Sequence, residues 1–443
     1  MPIVALIFGL TTTALAADVP CYGHTEANRL DTDHFWVEWA DGVIDQPAAQ
    51  VIGDAAEHAR VTYLDMGWPM TDEPVVITVV GGNGGGISGL TETSSCDGIG
   101  PVPRVTLTVG HYTPNNAKAV TAHELGHVAQ YGYMGAYLDS VASWTWWMEA
   151  TAVWLAAHDQ DSQTDWGRTA SGYLDEPWQQ LQQGPPAYAV PELSDHMYGE
   201  TVLTRFLEQV GGGPDAVRQT WAWGAQYTGQ AIAFPDAIDA LGLDFDAFWA
   251  QWMATTTTVE MDWSDALRMR IAATDVDALP FDGAPDTMPQ GLGLVAVHFL
   301  PSTGAAGKAL QVDVDGEADV PWHVVLVRTV GADPGSPLID YVSVPFDDVT
   351  GKASGWITGF DGSIDGWLVV SPEAGGPTHY DVQYSAQLID DPGPMDSVVH
   401  PSQDTGTPQP VACACETGPT GGSLGLLLLP LLALRRRSRR RLG

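Results

Sequence analysis

Apolar and polar positions change period several times along the chain. Residues 34–39 read His-Phe-Trp-Val-Glu-Trp and alternate like a strand, and 75–80 and 104–109 are apolar, β-branched runs of strand length. Between Pro47 and Leu64, Ala, Val and Ile recur at three- and four-residue spacing, which predicts a helix. The glycine-rich stretch 81–86 predicts a loop. From 116 to 260 the periodicity is mostly helical, rich in Ala, Trp and Leu. After Met261 short alternating segments take over, at 292–299, 309–314, 323–330, 341–344, 367–370 and 380–384. Turn clusters separate them, which predicts a β-sandwich over 261–389. Residues 390–412 are rich in Asp, Pro, Gly, Ser and Thr and read as a linker. The pattern therefore predicts an α+β chain with a mixed domain over 18–260 ahead of an all-β one.

Composition narrows the partners. The chain has 443 residues, 44% hydrophobic, enough for two or three cores. It carries 55 Asp and Glu against 18 Lys and Arg, for a net charge of -37. Such a body repels phosphate backbones, so nucleic acid is excluded as a partner. The 17 Trp, 13 Tyr and 10 Phe demand burial and argue against general disorder.

The two ends read as addresses. Residues 1–17 form an apolar run closing on Ala-Leu-Ala-Ala, the pattern of a secretory signal peptide. Residues 413–443 place Cys413-Ala-Cys415 before a glycine-rich spacer, a Leu-rich stretch at 424–434 and six arginines. This tail resembles the MYXO-CTERM sorting signals of myxobacterial surface proteins. The resemblance implies export, recognition by a C-terminal sorting machinery, processing near Cys413 and Cys415 with lipid attachment there, and anchoring of the body at the outer surface membrane. The apolar transmembrane-type helix is short for a permanent crossing and fits a signal processed after export. The other two cysteines, Cys21 and Cys96, suit one disulfide in an oxidising compartment, worth roughly 4 kcal/mol by chain entropy.

The chemistry lies in Thr121-Ala-His-Glu-Leu-Gly-His127, a His-Glu-x-x-His motif. On a helix His123 and His127 stand one turn apart on one face and reach one ion, while Glu124 projects beside them. Two imidazoles and a carboxylate suit zinc with a fourth position open for water, whose proton Glu124 can take as general base. The extended metzincin pattern is excluded, because Gln130 and Tyr133 stand where it needs Gly and His. Glu149 follows His127 by 22 residues among apolar neighbours, Trp146, Trp147, Ala150 and Val153, so it is the candidate third ligand. His158 and Asp139 are the rivals.

Here the sequence resembles the gluzincin metallopeptidases, in particular the peptidase-MA-like group, whose His-Glu-x-x-His precedes a Trp-flanked Glu helix by about 20 residues. The resemblance runs from about His34 to Met253. It implies a zincin-like fold, ligands His123, His127 and Glu149, general base Glu124, and a peptide or protein substrate. It departs in having Ala at 150 and 152 rather than three places after Glu149. For the group that stabilises the oxyanion Tyr198 is the candidate and His196 the runner-up. Substrate is expected to add as a strand near 104–109. In the β-rich half, the acidic segment 313–319 is a weak calcium candidate and reads better as a hairpin turn. The alternative from another class is a non-catalytic surface adhesion protein whose zinc site only holds the fold.

Overall fold

The computed structural model describes residues 26–83, 86–96, 100–134, 144–159, 166–182, 191–227, 233–261, 267–301, 304–331, 337–395 and 398–399. The signal segment, Cys21, Asp139, Cys413, Cys415 and the apolar tail lie outside these residues, as does the Cys96 side chain. No helix among the described residues is long and apolar enough to cross a membrane.

The chain is mixed α and β with several sheets. The first sheet holds β1 (Asn28–Asp31), β2 (Phe35–Trp39), β3 (Val75–Gly81), β4 (Ile87–Cys96) and β5 (Gly100–Val109), in the order β1-β2-β3-β5-β4. The middle strands β2, β3 and β5 are parallel, and β4 runs antiparallel along one edge. Strand β2 is buried throughout, because both of its faces are covered. Helix α1 (Gln46–Asp65) packs Ala49, Ile52, Ala56 and Ala59 into the core, and Asp45 caps its start by accepting from the Ala48 amide at 3.0 Å.

One expectation changes at this sheet. Strand β5 is paired on both sides, Thr106 facing Thr78 of β3 and Leu90 of β4, so residues 104–109 have no vacant edge for a substrate strand. The edge belongs to β4, whose Gly-, Ser- and Thr-rich sequence hid it among loop signals.

The helical region comprises α2 (Pro114–Met134), α3 (Thr145–His158), α4 (Trp166–Leu174), α5 (Pro191–Gly199), α6 (Thr201–Val210), α7 (Pro214–Gly224), α8 (Phe234–Ala240) and α9 (Phe245–Thr256). Helix α2 begins as its sequence dictates: the Thr113 hydroxyl accepts from the Asn116 amide at 3.3 Å, and Pro114 opens the first turn. Helix α3 is apolar all round and almost wholly buried.

After a short hairpin of β6 (Val259–Met261) and β7 (Leu267–Met269) come two further sheets. The six-stranded one contains β8 (Ala273–Val276), β10 (Val295–Phe299), β12 (Trp322–Thr329), β13 (Leu338–Ser343), β15 (Asp365–Pro372) and β17 (Val398–Val399). The four-stranded one contains β9 (Phe281–Gly283), β11 (Lys308–Gly316), β14 (Lys352–Ile357) and β16 (Val382–Asp390).

The six-stranded sheet is buried on both faces. Val324, Leu326, Leu368 and Val370 join the core shared with the four-stranded sheet, whereas Val325, Val327, Trp367 and Val369 join the core of the helical region. Helix α9 lies against that second face, where the Trp249 indole donates to the Ser371 hydroxyl at 3.1 Å. Backbone bonds from Leu294 to Pro177 and from Leu181 to Gly291 add to the join.

Candidate metal centre

Helix α2 sets His123 and His127 one turn apart, and their Nε2 atoms come within 3.2 Å of each other. Helix α3 brings Glu149 to them: its Oε2 lies 3.1 Å from His123 Nε2 and 3.5 Å from His127 Nε2. Separations near 3.3 Å are the edges of a tetrahedron whose bonds are about 2.0–2.1 Å, so the three atoms fit around one metal ion. Glu149 is 4% exposed in an apolar helix, and a carboxylate so placed needs a partner. The two helices approach closely at Gly126, where a Cβ would sit 3.0 Å from Ala152 Cα.

The electrostatics bind the three residues together. Burial opposes charge on His127, but the Glu149 carboxylate outweighs it, with Glu124 and Gln130 adding, and the pKa rises to about 9. Burial would raise the Glu149 pKa, yet the two imidazoles hold it well below the ordinary carboxylate range. Behind the site, His127 Nδ1 donates to Gln130 Oε1 at 2.8 Å, which directs Nε2 toward Glu149. Gln130 is itself fixed, donating to Met148 O at 2.9 Å and Thr151 Oγ1 at 2.7 Å. The residue that excludes the metzincin pattern thus orients a candidate ligand.

Glu124 is buried beside the imidazoles and lines a cavity of about 620 Å³ together with His123, Gly89, Val153, Asp195 and Tyr198. The Thr91 hydroxyl donates to Glu124 Oε2 at 2.5 Å, and Tyr131 donates to Thr91 O at 3.1 Å. Gly89 and Thr91 face α2 from the edge strand β4, and a Cβ on Gly89 would overlap the Glu124 carboxyl group. Tyr198, near the end of α5, meets the His123 ring edge-on with centroids 5.6 Å apart.

The rival residues go elsewhere. His158 lies 3.2 Å from Glu208 at the far end of α3. His196 is fully buried beside Tyr173, with ring centroids 5.1 Å apart, and does not line the cavity. In the acidic segment 313–319, Asp313 accepts from Ser354 at 2.5 Å and Asp315 from Lys352 at 2.7 Å. Both project from strand β11 rather than from a hairpin turn. Sequence reasoning missed Gly89, Thr91 and Gln130; an Oε1 acceptor three residues after His127 was the one local signal available.

No protein-family model matches the chain, and no curated protein matches it. Among solved structures it is similar to a family GH115 4-O-methyl-alpha-glucuronidase with specificity for decorated arabinogalactans, at 10% identity and a TM-score of 0.17. The match covers 63% of this chain and 40% of that one, so this chain spans less than half of that enzyme's length. At that score the likeness bears on neither fold nor reaction.

Proposed function

We propose that this chain is an exported zinc metallopeptidase of the gluzincin type, with a zincin-like domain over 18–260 and a β-sandwich over 261–389, tethered through its C-terminal tail. The observation that carries the reading is the convergence of His123, His127 and Glu149 beside a buried Glu124 that opens onto a cavity. His123, His127 and Glu149 would hold a zinc ion, which when bound would supply Lewis acidity toward water and a carbonyl oxygen. Glu124, held by Thr91, takes the proton of the attacking water and passes it to the leaving amine. Tyr198 offers its hydroxyl to the charge that develops on the carbonyl oxygen. The substrate chain adds along β4, whose face carries Gly89 and Thr91 to the general base.

The Glu124→Gln variant tests this reading directly. It is expected to keep the wild-type zinc content while hydrolysis of a proteome-derived peptide mixture falls by about 10²–10⁴-fold. Undiminished hydrolysis removes Glu124 as the base. A wild-type protein that holds zinc but leaves every peptide intact favours the surface-binding alternative.

A further inference from the structure

We infer that Asp246, His323 and Glu373 form a second divalent-cation site, separate from the first, which clips the start of helix α9 to the six-stranded sheet. One nitrogen of His323 and one oxygen of each carboxylate lie within 4.8 Å of one another. The three residues come from different elements: Asp246 from the first turn of α9, His323 from β12, and Glu373 from just beyond β15. His323 Nδ1 is 3.9 Å from Asp246 Oδ1, and Nε2 is 4.0 Å from Glu373 Oε2. Those gaps are too long for hydrogen bonds, and since an ion takes one nitrogen of the ring, bonds of about 2.0–2.1 Å at Nε2 reach Glu373 as the exposed Asp246 side chain turns inward to complete the set.

A second observation points the same way. His323 Nε2 is buried without a hydrogen-bond partner among the described residues, and its side chain is only 11% exposed. An orphaned ring nitrogen 4.0 Å from a carboxylate is costly unless something completes it. Phe245 packs against the ring at 5.7 Å and fixes its plane. Asp246 is 81% exposed at its side chain, so it can swing onto an ion from the solvent side. One imidazole with two carboxylates suits a first-row transition dication, and zinc is the probe of choice.

The test is metal analysis of the purified protein after zinc saturation and dialysis. Wild type is expected to retain two equivalents, and His323→Ala, Glu373→Gln and His127→Ala one each. Because His323 packs in an interface, Asp246→Asn supplies a variant at an exposed position. It is expected to weaken zinc at this site at least tenfold by titration in the His127→Ala background. A wild-type protein holding one equivalent that His323→Ala retains overturns the second site and leaves the first intact. One equivalent lost in His323→Ala but kept in His127→Ala supports this site and removes the first.

Discussion

His127 gives the first prediction at the scale of single residues. Its raised pKa, about 9, means that zinc must displace a proton from it near neutral pH. Zinc uptake by the metal-free protein is expected to release that proton, with affinity climbing as pH approaches 9. Calorimetry in buffers of different ionisation enthalpy measures this, and a proton-neutral uptake contradicts it. Without metal, the His127 contribution to stability is complete below about 6.5, its ordinary pKa, and is lost as pH rises through about 9. The Glu149 contribution runs the other way, present above about 4.5 and lost in acid. Gln130→Leu removes the acceptor behind His127 and is expected to weaken zinc by about 10–100-fold. The metal motif was legible because its spacing is local to one helix. Gln130, Thr91 and Gly89 act through contacts that only the packed chain makes, so no periodicity announced them.

Among the elements, the pairing of α2 with α3 decides whether Glu149 arrives. Gly126 lets the helices touch, and Gly126→Ala places a methyl 3.2 Å from the Ala152 Cβ. Overpacking of that kind costs about 1–3 kcal/mol. The variant is expected to lose that much by denaturant unfolding and to release zinc faster, whereas unchanged zinc release would detach helix spacing from the metal site. The sequence disclosed α1 through its apolar spacing, α2 and α3 as parts of the helical stretch 116–260, and the central strands through their β-branched runs. It concealed β4, whose alternation is between small and polar residues, with Leu90 turned outward and 55% exposed. That concealment moved the expected substrate edge to the neighbouring strand.

For the whole molecule, the shared core predicts joint unfolding. The described residues cluster as one unit, and Trp249, Val325, Val327 and Trp367 belong to a single apolar cluster. One calorimetric transition is expected for the two halves, and two well-separated transitions would show that the join contributes little. The change from helical to strand texture near 261 was plain in the sequence, but not that one sheet serves two cores, since uniformly apolar strands do not say what covers each face. The same sheet restricts how the gene can change. Inserting a single codon within β12 would rotate every following side chain by half a pleat, sending Val325 and Val327 into the wrong compartment and Leu326 into the other. Lineages of this protein should therefore tolerate length variation in the turns between strands while keeping the reading length of β12 fixed.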